Sequence, residues 1–415
     1  MKKERYFLIF IVLFLLLGCK LSTTRPEDLA GTATSVGEIN LEEVQIDNPE
    51  ATATESAAST PEALPTATLL PGSIGPSDFP ENVNPLTGMV MDDPGVLDRR
   101  PVSVKINNYP RTNRPQWGLS LADIVYEFYH NNDLPRFHAI FLGNDAEQVG
   151  PIRSGRLFDR FLVDTYESIF TFASADSRIL EVFRAQDFAD RLIYFLDGDC
   201  PPHPVCRYMP EGVNYLIGDT NGIRAFQVES GGDNDRQDLH GMVFHADAPS
   251  SGQDLQRLYV RYSYSAYLYW EYDPATGGYF RYQDTQEDIN GSGEAYAPLR
   301  DGLTDKPIGT DNVVVLVVDH FHEVYQAPTG NHPKVEIVDM DFLGNGPAYA
   351  MRDGKVYELQ WVRPPTDELV YLIFPDGSRY PFKPGTTWFQ VVSQDTLLEK
   401  TDQAWRFLFT IVPPS

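Results

Sequence analysis

The chain has 415 residues, 42% of them hydrophobic, and a formal net charge of −26. That length can bury a large core and predicts two or three domains. The acidic surface argues against nucleic acid as a partner and against a basic patch as the means of membrane attachment, so clustered arginines become informative.

Lys2, Lys3 and Arg5 precede an apolar run, Tyr6 to Leu17, that is shorter than the roughly 20 residues a bilayer-spanning helix needs. A basic start followed by a short apolar run is the pattern of a signal peptide, here residues 1–18. Leu16-Leu17-Gly18-Cys19 resembles the bacterial lipobox, whose cysteine takes a diacylglyceryl thioether. The resemblance implies a protein lipidated on Cys19 and held by acyl chains on the extracytoplasmic face of a bacterial membrane. Residues 19–82, rich in Thr, Ser, Pro and Ala and without a sustained period, are expected to form a disordered tether. About 60 flexible residues reach on the order of 40 Å.

Residues 83–235 are expected to fold as an amino-terminal α+β domain. Val102, Val104 and Ile106 alternate with polar residues, and the apolar runs Asp123 to Tyr129 and Phe137 to Leu142 read as strands. A helical period begins at Leu157, and a second helix is expected around Ile179 with Asp176 or Ser177 as its cap. Cys200 and Cys206, an even pair in an exported chain, are expected to be bridged across Pro201-Pro202-His203-Pro204-Val205. Free thiols, or a metal site that includes His203, are the alternatives. The polar run Gly231 to Asp238 marks a domain junction. Beyond it, in residues 240–415, alternation at Tyr259 to Tyr272, the apolar run Val313 to Val318, and turns at Asp273 to Gly278, Asp353-Gly354 and Asp376-Gly377 predict a mainly β carboxy-terminal domain. The fold class is therefore α+β: a mixed α/β domain followed by a β-rich one, preceded by a tether.

Several motifs resemble the YerB-like bacterial lipoproteins. They are Asn84-Pro85-Leu86-Thr87-Gly88, Arg100-Pro101-Val102, the run from Arg114-Pro115-Gln116-Trp117-Gly118 to Tyr126-Glu127, and Gly150-Pro151-Ile152-Arg153-Ser154-Gly155-Arg156. Asp311-Asn312-Val313 and Lys383-Pro384-Gly385-Thr386-Thr387-Trp388 extend the resemblance to the end of the chain. It implies lipid-anchored two-domain proteins of unestablished role and supplies no catalytic residues. Where the family usually carries Pro-His-Asn, this chain has Gly212-Val213-Asn214 and lacks the imidazole.

Arg153-Ser154-Gly155-Arg156, set before a helical period, combines guanidinium forks, a hydroxyl and a close-approach glycine, as an anion site would. Arg114 and Arg136 could converge on it; the competing reading, to which the balance inclines, is that these arginines pair with Asp123, Glu127 or Asp164 and tie the fold together. Asp123 and Glu127 lie about 13 Å apart along one strand face, too far for paired acid–base hydrolysis of a glycoside unless Asp176 joins them. His320 and His322, with His332, are candidate metal ligands, and Asp233, Asp235 and Asp238 loosely resemble a calcium loop. Tyr262, Tyr264, Tyr267 and Tyr269 could form a stacking platform or simply be core. No nucleotide-binding, nucleophile-elbow or zincin motif occurs, and no cofactor is implied. Two readings follow: a non-enzymatic binding or scaffold protein of the cell envelope that recognises an anionic component or a partner protein, or an envelope glycan or peptide hydrolase built on Asp123, Glu127 and Asp176.

Overall fold

The computed structural model describes residues 69–195, 202–208, 216–326 and 334–410. The signal segment, Cys19, most of the tether, Cys200, the Gly212-Val213-Asn214 stretch and His332 lie outside these residues. Among the described residues no helix is long and apolar enough to cross a membrane.

The folded region begins earlier than the composition suggests. Ile74 exchanges backbone hydrogen bonds with Phe244, and the Phe79 ring packs edge-on against the Phe244 ring. These two apolar residues anchor a segment that the Thr/Ser/Pro-rich background assigns to the tether.

In the first half the strands are β1 (Val102–Ile106), β2 (Ile124–Asn131), β3 (Leu134–Phe141), β4 (Ile169–Phe172) and β5 (Leu192–Tyr194). The helices are α1 (Asp159–Thr165), α2 (Ser177–Arg184) and α3 (Thr220–Glu229). Asp176 caps α2 by accepting from the Arg178 N–H, and Asp219 caps α3 in the same way through Asn221. The helix expected from Leu157 starts two residues later, because Asp159 accepts the Arg156 N–H across a tight turn that precedes it. The second half contributes β6 (Arg257–Arg261), β7 (Tyr267–Asp273), β8 (Gly278–Asp284), β9 (Asn312–Gln326), β10 (Lys334–Asp341), β11 (Gly344–Arg352), β12 (Lys355–Arg363), β13 (Tyr371–Ile373), β14 (Thr387–Ser393), β15 (Leu397–Lys400) and β16 (Ala404–Leu408). Asp353 and Gly354 both have positive φ, the geometry of the tight turn joining β11 to β12.

The halves on either side of residues 231–238 share one sheet. Its order is β13-β12-β11-β9-β14-β2-β3-β1-β4-β5, and β14 runs parallel to β2, pairing Thr387 with Ile124 and Val391 with Phe128. A second sheet, with β8, β7, β6, β16 and β15 in that order, packs on one face of the first. Trp270 of β7 meets Trp388 of β14 there, and Phe137 of β3 meets the same indole edge-on. Helix α1 and the Phe128–Phe158–Phe342 cluster cover the opposite face. A smaller apolar cluster, including Phe170, Phe172, Ile179 and Phe183, seats α2 on β4.

β1 is therefore not half-solvated as its alternation predicts. It lies between β3 and β4 with both faces covered, and Ser103 and Lys105 are as buried as Val104. Polar side chains in such a place must find partners within the protein, and Lys105 leads directly to a cluster of arginines.

Candidate functional site: an arginine cleft

One face of the sheet carries Lys105 from β1, His130 from β2, and Arg136 and His138 from β3. The segment Arg153–Arg156 crosses above it between the ends of β1 and β4. Arg153 N–H donates to the Lys105 carbonyl oxygen, and Gly155 N–H donates to that of Ser174, both at 2.8 Å. Gly155 is needed there, because a Cβ would meet a Phe183 ring carbon at 2.8 Å. With Arg156 N–H donated to Asp159, three backbone N–H groups of this turn are already engaged, and the anion-site reading rests on the side chains.

Those side chains do converge. Arg136 Nη1 donates to the Ser154 carbonyl oxygen at 3.0 Å, and Arg156 Nη1 to that of Gly155 at 2.8 Å. Arg136, Arg153 and Arg156 are half-buried, yet none forms an ion pair among the described residues. The Nε of each is buried and has no hydrogen-bond partner among the described residues. Burial pushes Arg136 well below the ordinary guanidinium range, and repulsion from Arg156 and Arg153 adds to it. Burial likewise lowers Arg153, and lowers Arg156 to about 10. Because guanidinium holds its proton at neutral pH, these shifts express poorly solvated positive charge held close together.

Beneath the arginines lies a buried trio. Lys105 Nζ donates to Asp159 Oδ1 at 2.9 Å, His138 Nδ1 lies 2.8 Å from the same oxygen, and Arg156 N–H donates to Oδ2 at 2.7 Å. Burial lowers Lys105 to about 7 against the pull of Asp159. Burial alone would raise Asp159, but Lys105 and His138 outweigh it and hold the carboxyl low. Asp159 is held directly by Lys105 and His138, so it attracts Arg136 and Arg156 without pairing with either guanidinium, and among the described residues no other carboxylate forms an ion pair with them. Asp176, the other acid that acts on Arg156, is engaged by Arg178 Nε and Nη2 at 2.8 and 2.9 Å.

Of the residues expected to build this site, Arg136, Arg153, Ser154 and Arg156 are brought together and Arg114 is not. Arg114 binds Asp284 in the second half, at 3.2 Å to Oδ1 and 2.6 Å to the carbonyl oxygen. The three candidate acid–base carboxylates do not share a cleft. Asp123 accepts from Leu142 and Gly143 N–H and from Asn84, Glu127 is paired with Arg281 on the opposite face of the sheet, and Asp176 caps α2. Sequence reasoning missed Lys105, His130, His138 and Asp159. The available signal was a lysine and two histidines on strands that are mostly apolar.

The other candidates are placed as follows. His320 Nδ1 donates to the Val318 carbonyl oxygen at 2.7 Å, and burial lowers its imidazole to about 4. His322 lies against Glu336, and no group of three potential metal ligands occurs among the described residues. Asp233 is bound by Arg100 at 2.7 Å. Tyr262 and Tyr267 are buried, with Tyr262 Oη donating to the Glu127 carbonyl oxygen. The half-exposed tyrosine cluster is instead Tyr259, Tyr269, Tyr282 and Tyr296, with Tyr269 stacked on Tyr282 at 4.5 Å. A cavity of about 960 Å³ is lined by Tyr357, Phe374, Pro375 and Pro381. Its single arginine, Arg379, is bound by Glu368, so it lacks the unmatched charge of the arginine cleft.

Comparison with known proteins places this geometry in context. Residues 86–197 match the model described as "Protein of unknown function (DUF3048) N-terminal domain", and residues 258–389 match its "C-terminal domain" counterpart. The chain is 28% identical over 321 residues to the Bacillus subtilis (strain 168) protein named "Putative lipoprotein YerB", covering 74% of this chain and 85% of that one. Its fold is similar to the crystal structure of YerB protein from Bacillus subtilis, with a TM-score of 0.58 at 24% identity, covering 75% of this chain and 96% of that one.

Proposed function

The chain belongs to the YerB-like family that carries the DUF3048 amino- and carboxy-terminal domains, and on that premise we propose that it is a lipid-anchored binding protein of the bacterial cell envelope whose arginine cleft takes an anionic envelope component. The observation that carries this reading is three half-buried guanidiniums that form no ion pair with a carboxylate among the described residues in a chain of net charge −26. An acidic protein has carboxylates in abundance with which to neutralise a structural arginine, as it does for Arg114, Arg178 and Arg281. Leaving three unmatched in one recess costs stability, and an anion supplied from outside would offset that cost.

The test is replacement of Arg153 and Arg156 together by alanine. Binding to purified anionic envelope polymers should weaken steeply, by a factor on the order of 100 if each lost charge-assisted contact contributes about 1.5 kcal/mol or more. The melting temperature should stay within a few degrees of the parent, because neither side chain holds an ion pair. A double variant that unfolds, or that binds every anionic polymer as well as the parent, assigns the turn a structural role.

The address is tested separately. Cys19→Ala removes the acyl attachment, and outside the arginine cleft an acidic surface gives little purchase on anionic lipid. The variant is expected to lose the parent's lipid modification and the firm membrane retention that depends on it, read by fractionation after signal-peptide removal. Recovery of that processed, unacylated chain in a high-salt membrane pellet would show a second mode of attachment.

A further inference from the structure

We propose that the arginine cleft recognises a phosphate monoester, with His130 as its fourth donor. The inference rests on the anion-site reading above and narrows it to one ligand chemistry.

Charge comes first. Lys105 is matched by Asp159 within the trio, so Arg136, Arg153 and Arg156 present their charge to whatever enters. A carboxylate or a phosphodiester brings a single negative charge and two free oxygens. A phosphate monoester carries about −1.5 to −2 at neutral pH, on three oxygens. Of these groups it is the one whose charge approaches that of the recess.

Donor count points the same way. Arg136 Nε, Arg153 Nε, Arg156 Nε and His130 Nδ1 are all buried without a partner. They belong to four side chains on three separate pieces of backbone: β2, β3 and the 153–156 turn. A tetrahedral group can accept from several directions at once, whereas a planar carboxylate is suited to a single fork.

His130 is an independent sign of a ligand. It is 4% exposed, its Nδ1 is unsatisfied among the described residues, and its imidazole is engaged by the Asn131 side chain of its own strand but not, as His138 is, by a carboxylate. The groups that act on it are Arg136 from β3, Arg156 from the turn, Lys105 from β1 and Asn131 on its own strand. Burial, followed by these three cations, holds its imidazole well below the ordinary range. It is therefore neutral in the empty cleft and can offer one N–H without adding to the repulsion.

The chain from Lys20 onward, which retains every described residue, is titrated with glycerol 3-phosphate, dimethyl phosphate and acetate at matched ionic strength, following thermal stability and heat of binding. Glycerol 3-phosphate should raise the melting temperature by several degrees at millimolar concentration, because a ligand that binds only the folded state stabilises it by mass action. Dimethyl phosphate and acetate should bind at least about tenfold more weakly. Arg136→Gln and Arg156→Gln should each abolish the shift, and His130→Gln should reduce affinity by roughly tenfold while leaving the unliganded melting temperature near the parent's. Equal binding of acetate or dimethyl phosphate would overturn the monoester assignment and leave the anion site standing; absence of any anion binding would overturn both. Vesicles of phosphatidylcholine with phosphatidic acid supply the same end group from a membrane. Retention on them together with a glycerol 3-phosphate shift assigns the group to a lipid, and the shift without retention assigns it to a soluble or polymer-borne phosphate.

Discussion

Replacing Arg281 by methionine should destabilise the fold by about 3–5 kcal/mol, the cost of leaving a buried charge without its partner. Arg281 on β8 and Glu127 on β2 are both fully buried between the two sheets, with Nη1–Oε2 and Nη2–Oε1 distances of 2.7 and 2.9 Å. The guanidinium lies 4.9 Å from the Trp388 ring centroid and 5.2 Å from that of Phe137. Without it, the Glu127 carboxylate keeps one side-chain donor, Asn108 at 3.2 Å. The loss is read from the shift in urea midpoint at constant slope. Replacing both residues, Glu127→Leu with Arg281→Met, should restore most of it, because apolar residues of similar volume can stand in for a buried pair. A single variant within about 1 kcal/mol of the parent would show that water already reaches this pair.

Asp159→Asn should be comparably costly, and its cost should depend on pH. The substitution strands Lys105 and His138 beneath the arginines and weakens the turn that Asp159 closes by accepting the Arg156 N–H. Lys105 titrates near 7 in the folded chain, well below its unfolded value of about 10.5. Unfolding therefore takes up a proton between those pH values, and the lysine's contribution to stability rises with pH across that window. Removing Asp159 lowers Lys105 further, and the folded variant then forgoes a proton that the folded parent still holds at pH 6. At pH 9 both folded forms are neutral at Lys105, so this part of the loss disappears. Urea melts of parent and variant should show the larger difference at pH 6 than at pH 9. A difference that is constant, or that grows with pH, would mean that Lys105 does not depend on Asp159 for its charge.

Much of the cleft was legible in the sequence because its members are close along the chain. Arg153, Ser154, Gly155 and Arg156 form one turn, and Arg136 lies on the neighbouring strand. The misplacement of Arg114 has the opposite cause: its partner, Asp284, is 170 residues away, and no local pattern announces such a pairing. Lys105 and His138 were hidden by a rule that usually works, since polar residues alternating with apolar ones normally face water. Here both faces of β1 are covered, so the polar positions carry a buried network. The early end of the tether turned on Ile74 and Phe79, two apolar residues in a segment whose average composition is polar. The tyrosines divided in the same way: Tyr262 and Tyr267 went inside, while Tyr259 and Tyr269 joined Tyr282 and Tyr296 from strands whose order no spacing reveals.

The parallel pairing of β2 with β14 also bears on how the chain reaches its native state. A ribosome or a translocation channel releases the polypeptide from its amino terminus, so β2 and β3 emerge and pair while β14 is still to come. Until Thr387 to Val391 arrive, one side of β2 presents unsatisfied amides and carbonyls along Ile124 to Phe128, the kind of open edge on which chains of the same sequence pair with each other. The amino-terminal family domain produced alone would carry that edge permanently. It is therefore expected to associate or require a holdase, whereas the intact chain closes the edge as soon as its last sixth has been delivered.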